Sequence, residues 1–238
     1  MIQLGMPPMQ IYKDDVFRRG WSHGRAQTGQ VSFLITPLAT GTTLPSLRLP
    51  AKRGRVTKVE ITILASSLMT RKLVEQCTAR ALAERFPNIK CKVVLSEESG
   101  DASRLYLLFV AHTESGFRLG YDCLYESKIG KTLAAIERAV QALVGSAGKG
   151  LEKELGCDVD DAEGTAMCLD SHMEDQVTVF MALAKERSRC QRVVKGDNHD
   201  DLGPSLHTKT AQWVVEKVCG VAFYANGECE GLGLVSGR

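Results

Sequence analysis

The chain of 238 residues lacks a dominant charge: 30 lysines and arginines stand against 28 aspartates and glutamates, a net charge of +2. Bulk electrostatics therefore gives no argument for a nucleic-acid partner, and any such contact has to come from local clustering. A C-x-x-C pair is also missing, although the sequence holds 8 cysteines, so a zinc knuckle is not indicated. No apolar run is long enough to span a membrane, and no signal or transit peptide is read. These absences lead to the expectation of an intracellular protein, nuclear or cytoplasmic, that is not secreted, has no membrane partner and keeps its thiols reduced. No internal repeat stands out. A phosphate loop is absent too: Gly145-Ser146-Ala147-Gly148-Lys149-Gly150 invites that reading, but Leu151 stands where the loop needs Ser or Thr, and a helix rather than a strand precedes it. The run is read as a flexible helix end and linker.

What is present is ordinary for a globular chain, with 44% apolar and 24% charged residues. This length buries a core without disulfide or metal staples. Val31, Phe33 and Ile35 alternate as a strand. Residues 40–55 form a Pro/Gly/Thr linker ending in Lys52, Arg53 and Arg55, a basic run that is either a phosphate contact or a solvated linker. Val59, Ile61 and Ile63 then alternate with Lys58, Glu60 and Thr62 as a clear strand. Ser66 or Ser67 caps a helix reaching about Phe86, with Met69, Leu73, Cys77 and Ala81 as its apolar stripe. Ile89, Cys91, Val93 and Leu95 alternate again. Residues 104–111 read as a strand covered on both faces. Thr113-Glu114-Ser115-Gly116 is a turn into a hairpin partner with Phe117, Leu119, Tyr121 and Cys123. Residues 130–144 look helical. The order strand, helix, strand, strand, strand, helix describes an α+β module able to fold alone.

Two stretches further on carry the chemistry. Leu169 to Val177 is followed by Phe180-Met181-Ala182-Leu183-Ala184, and His172 to Lys185 reads as a helix with Val177, Met181 and Leu183 or Ala184 inward. Pro204 to Glu216 begins as a turn and ends as a helix, capped by Thr208 or Thr210, with Val214, Val215 and Val218 as its stripe. His207 is expected just outside that helix start, where outward N–H groups favour an anion. A lone histidine in a polar loop is more often a surface residue than a nucleophile. The joint pattern of the two stretches is what raises His207 above that background. The acidic groups Asp158, Asp160, Asp161 and Glu163, and Asp197 to Asp201, match no metal-loop spacing and read as turns. Residues 221–224 read as a short strand, and the Gly-rich end after it as poorly ordered.

Together the two stretches resemble the C-terminal part of the RNA 3'-terminal phosphate cyclase family, whose helix D-x-H-L-A-D-Q … M-A-L-A is followed by S-x-H-x-x-T-N-x-x-V-V-E. Asp170, His172, Asp175, Gln176 and Met181 to Ala184 fit the first motif. Ser205, His207, Thr210, Val214, Val215 and Glu216 fit the second. Glu174 stands where the family has Ala, and Ala211 where it has Asn. Near the start, Arg19-Gly20, Gly24 and Gly29 are what remains of a family loop R-G-x-x-P-x-G-G-G. Arg18, Arg19, His23 and Arg25 give that loop a phosphate-facing reading, with a solvated hairpin as the reading preferred.

The resemblance implies an α+β fold: part of the cyclase large domain, built of βαβ-type repeat units, with a smaller inserted α+β domain. Residues 1–42 would end an N-terminal repeat region, 43–150 would be the insert, and 151–238 would carry the His207 motif. Most of the N-terminal region is expected to be missing. The implied reaction turns an RNA 3'-phosphate into a 2',3'-cyclic phosphate at the expense of ATP, with magnesium or manganese as the divalent metal. His207 would be the nucleophile, with His172, Asp175 and Gln176 around the nucleotide and Lys209, Arg18, Arg19 and Arg25 on phosphates. RNA 3' ends are the implied partner, along with a protein that supplies the missing region. Two alternatives stand beside it: a non-catalytic binding factor in ribosome biogenesis, and a truncated inactive paralogue.

Overall fold

A computed structural model describes residues 10–12, 32–49, 53–99, 104–156, 168–190 and 204–237. The elements in order are β1 (Gln10–Tyr12), β2 (Ser32–Leu34), β3 (Val56–Ala65), α1 (Leu68–Arg85), β4 (Lys90–Glu98), β5 (Tyr106–Thr113), β6 (Arg118–Leu124), α2 (Leu133–Glu154), α3 (Ser171–Leu183), β7 (Arg187–Arg189), α4 (Leu206–Cys219) and β8 (Glu228–Glu230). This is an α+β fold. The described residues divide into two units, one holding 53–156 and the other 10–12, 32–49, 168–190 and 204–237.

The first unit is a four-stranded sheet in the order β4-β3-β5-β6. β3 and β4 run parallel, joined by α1, while β5 and β6 are antiparallel neighbours. Alternation in the sequence puts Val59, Ile61, Ile63, Leu107, Phe109 and Leu119 on one buried face. Val74 and Leu82 of α1 and Val140, Leu143 and Leu151 of α2 close over them in one core. Each such side chain contributes about 1.5–3 kcal/mol by leaving water. Ser67 caps α1 by accepting from the Thr70 N–H, and Thr132 caps α2 by accepting from Ala135.

Four expectations about this unit change. The α1 stripe has the right period but is one residue out of phase: Thr70, Val74, Thr78 and Leu82 are buried, while Met69 is 60% exposed. The alternation of β4 breaks after Val93, because the register shifts between Ile61 and Thr62 and pairs Thr62 with Leu95. The bulge turns Leu95 to the other face. β5 is not covered on both sides, since Leu107, Phe109 and Ala111 are buried but the residues between them only half so. Nor is residues 145–150 a linker, because α2 runs through it to Glu154. Ala147, Gly148 and Gly150 are buried there, and a Cβ on Gly150 would overlap the Tyr121 ring. Glycine is present for close helix-to-sheet approach, not as a break.

The basic run before β3 is likewise no solvated linker: Arg53 is fully buried, and Arg55 Nε lies 2.5 Å from Glu114 Oε1. Lys52 lies outside the described residues.

The second unit is smaller. β1 pairs with β2, and β7 with β8. Its core gathers Leu44, Leu47, Val177, Met181, Ala182, Val215 and Cys229. Leu44 and Leu47 therefore pack in this unit, while the described residues of the sheet unit start at Arg53. The short strand expected at 221–224 lies instead at Glu228–Glu230, with only Phe223 in an isolated bridge. β7 is a strand of alternating burial, with Ser188 buried between exposed Arg187 and Arg189.

The glycine-rich end is tied down rather than loose. N–H groups of Leu232, Gly233 and Leu234 donate to the carbonyls of Ala182, Ala184 and Leu183, at 2.8, 2.8 and 3.1 Å. Those are the carbonyls a helix end leaves without partners. A Cβ on Gly231 would collide with the Met181 and Ala184 carbonyls, so glycine lets the strand lie against the end of α3. Seven described cysteines are free thiols, with Cys168 and Cys229 buried. No described helix is long and apolar enough to cross a membrane.

Candidate functional site

α4 begins at Ser205, whose backbone is not yet helical and whose Oγ accepts from the Thr208 N–H at 3.1 Å. The cap is thus neither Thr208 nor Thr210. Thr210 is already inside the helix and donates back to the Leu206 carbonyl at 2.8 Å. His207 consequently lies within the helix, as the second residue after the cap, not just outside it. It is exposed and makes no side-chain hydrogen bond or ion pair among the described residues. The positive end of the helix dipole and the first-turn N–H groups lie beside it.

The buried side of α4 is Thr208 and Val215, with Ala211 and Gln212 half-buried. Of the expected stripe only Val215 is buried; Val214 is 43% exposed and Val218 78%. Gly220, at φ 70°, ends the helix in the left-handed region that glycine enters without strain. Glu216 of the motif has a structural task, since its Oε1 accepts from the Phe223 N–H at 3.0 Å.

α3 starts in a parallel manner. Asp170 caps it, its Oδ1 accepting from the Met173 N–H at 2.9 Å. His172 is again the second residue after the cap, and it is exposed. Asp175 is half-buried and Gln176 exposed, and Gln176 Nε2 donates to Asp175 Oδ1 at 3.2 Å. At 100° per residue, His172 and Gln176 lie on the side away from Glu174, Val177, Thr178 and Met181. These latter residues form the buried side.

The two helices do meet at their starts, through a residue the motif comparison marks as a departure. Glu174 is buried, and its Oε2 accepts from Thr208 Oγ1 at 3.2 Å. Thr208 Oγ1 also lies 3.0 Å from Ser205 Oγ. The structure thus joins Glu174, Thr208 and Ser205, and separately Asp175 and Gln176. It forms no bond from His207 to His172, Asp175 or Gln176. Lys209 is exposed, without an ion pair among the described residues. Arg18, Arg19, His23 and Arg25 lie outside the described residues, as do Asp158 to Glu163 and Asp197 to Asp201. Glu174 and Ser205 are what sequence reasoning missed in function. The signal for Ser205 was Ser three residues before Thr208. An acid in place of Ala inside an apolar helix was the signal for Glu174.

An exposed imidazole at a helix start can present a ring nitrogen to a phosphorus atom while the backbone N–H groups favour phosphate oxygens. Among the described residues no group of three His, Cys, Asp or Glu stands together to hold a metal ion.

A family model described as RNA 3'-terminal phosphate cyclase matches residues 7–225. An RNA 3'-terminal phosphate cyclase of Drosophila melanogaster is 26% identical over 174 residues, which cover 68% of this chain and 41% of the fly protein. The chain thus spans less than half the length of that relative. Among solved structures, one titled as the crystal structure of Ari2 aligns over 70% of this chain and 40% of its own, with a TM-score of 0.22 and 12% identity.

Proposed function

The chain belongs to the RNA 3'-terminal phosphate cyclase family, and from that premise we propose that it activates RNA 3'-phosphates by nucleotidyl transfer from ATP, with His207 as nucleophile. The observation that carries this reading is the state of His207: exposed, unbonded among the described residues, and fixed at the start of α4 within the Ser205–Glu216 motif. A neutral ring nitrogen attacks the α-phosphorus of ATP, and the bond to the β-phosphate oxygen breaks as pyrophosphate leaves. AMP then passes from the imidazole to an oxygen of the RNA 3'-phosphate. The neighbouring 2'-hydroxyl closes on the activated phosphorus and expels AMP, a ring closure favoured by its high effective molarity.

In this reading the outward N–H groups at the α4 start and Lys209 meet phosphate oxygens. His172 and Gln176, with the Asp175 to which Gln176 Nε2 donates, would serve the nucleoside only if it reached the far side of α3. A divalent metal finds no ligand set among the described residues, so no step is assigned to one here. The same reading puts the chain where RNA is processed, in the nucleus or cytoplasm.

Incubation with α-labelled ATP and magnesium tests the proposal. Acid-labile label on the wild-type chain, absent from His207→Ala, is the expected result. Equal labelling of the two overturns the assignment. A second reading, a non-catalytic binding factor, is favoured by one observation: Leu206 and Val218 of α4 are each 78% exposed and Trp213 60%. A helix with this much apolar surface outward is suited to a protein partner. Absence of label together with stable capture of a partner protein on α4 would favour that reading.

A further inference from the structure

The sheet unit carries a cleft of about 520 Å³ where β3 and β4 begin and α1 ends. Its walls include Arg55, Thr57, Arg85, Asn88 and Lys90 and contain no carboxylate residue. Arg55 and Arg85 each have an acidic neighbour outside the lining, Glu114 at 2.5 Å and Glu152 at 3.7 Å. Lys90 has none: it is exposed and makes no ion pair among the described residues. Lys92, two residues along the same strand and so on the same face, is likewise exposed and unpaired.

The pairing of the strands sharpens the point. Lys90 lies directly opposite Lys58 in the parallel ladder. Like charges facing each other across a ladder weaken it. Lys58 is held away by Glu60, its Nζ lying 2.6 Å from Oε1, which leaves Lys90 as the uncompensated charge. Lys92 faces Glu60, which already serves Lys58 and His112. Two unpaired lysines thus run along an edge strand out of a cleft of cations and amide and hydroxyl donors. β4 is the sheet edge, so nothing in the sheet lies beyond it.

We propose that this cleft and the Lys90–Lys92 edge bind the phosphodiester backbone of single-stranded RNA, as a second contact apart from His207. The inference rests on the cyclase-family reading for the choice of RNA over another polyanion. Contacts of this kind go to phosphates and carry no sequence preference. The site holds the strand and takes no part in the chemistry.

Fluorescence anisotropy with a labelled single-stranded RNA bearing a 3'-phosphate, over a range of salt concentrations, tests it. Lys90→Gln/Lys92→Gln removes two exposed charges without touching the core. Each lost phosphate contact lowers the salt slope by about 0.7, so the pair should bind about 25-fold more weakly at about 0.1 M salt, with a slope reduced by about 1.4. Arg138→Gln, an exposed charge on α2 away from the cleft, should change neither. An RNA with a different sequence should bind wild type equally well. The proposal is overturned if the double variant keeps the wild-type affinity and slope, if Arg138→Gln loses as much, or if wild type binds no RNA. Labelling of His207 by ATP is independent of all these readouts, so the cleft can fail while the family reading stands, and the reverse.

Discussion

The two units differ in the size of their cores, and the unit that carries His207 is the one with the smaller core. α2, in the sheet unit, buries Ala139, Val140, Leu143, Val144, Ala147, Gly148, Gly150 and Leu151 along its length. α4, which carries His207, buries only Thr208 and Val215. α4 has little apolar area to place it, so its Ser205 cap and the Thr208–Glu174 hydrogen bond carry more of that task than any single bond does for α2. The proposed nucleophile would have to be reached by its substrates, which suits an element with little covering.

The largest test of this contrast is a pair of truncations. Phe109 is fully buried in the sheet, and Phe109→Ala should lower unfolding stability by about 3–5 kcal/mol. Val215→Ala, the matching change in α4, should cost about 1–2 kcal/mol from the smaller area it removes. Denaturant unfolding of both variants measures the difference. Equal losses would mean that the core around α4 is as strong as that of the sheet, and the contrast would fail.

Two glycines of one helix sharpen the comparison within the sheet unit. A Cβ on Gly150 overlaps Tyr121, whereas nothing lies within 4 Å of one on Gly145. Gly150→Val should therefore cost about 1–3 kcal/mol by overpacking. Gly145→Ala should gain about 0.5–1 kcal/mol from the helix preference of alanine. A gain at both positions would remove the close-approach account of Gly150.

The same helix marks the limit of what the sequence discloses. The order of the sheet unit was legible because alternation and helical periods speak of burial directly, as in Val59, Ile61 and Ile63. Phase was harder: Thr70 and Thr78 are buried in α1 although both are polar, so an apolar count picks the neighbouring stripe. Three glycines within six residues read as a break because glycine lowers helix propensity, and only Tyr121, distant in sequence, shows why they stay helical. At the candidate site the motif located His207, but the tie that places its helix runs from Glu174, 34 residues from Thr208. No local pattern announces a bond over that separation.

That tie gives the next test. Thr208→Val keeps the shape but removes the donor to Glu174 and leaves a buried carboxylate with one bond fewer. The expected loss is about 1–3 kcal/mol, read by thermal or denaturant unfolding. Thr208→Ser should retain most of the stability, since the hydroxyl remains. If serine fails as badly as valine, the methyl packing of Thr208 matters and the bond to Glu174 does not.

The smallest effect lies on the open face of the sheet. Glu60 accepts from Lys58 at 2.6 Å and faces His112 Nε2 at 2.9 Å. The Lys58 hydrogen bond, then that of His112, holds its carboxyl below the usual glutamate range. A lowered acid is bound by fewer protons in the folded chain than in the unfolded one. Its contribution is therefore complete above the ordinary glutamate value and is lost as pH falls through the lower folded value. Unfolding midpoints of wild type and Glu60→Gln, followed from about pH 7 down to about pH 3, should converge as the acid limb is entered. The convergence should weaken in high salt, because the group is open to solvent and screened. Parallel curves throughout would show that Lys58 and His112 contribute nothing through Glu60. The Lys58–Lys90 opposition would then stand without the compensation on which the exposed edge of β4 is argued.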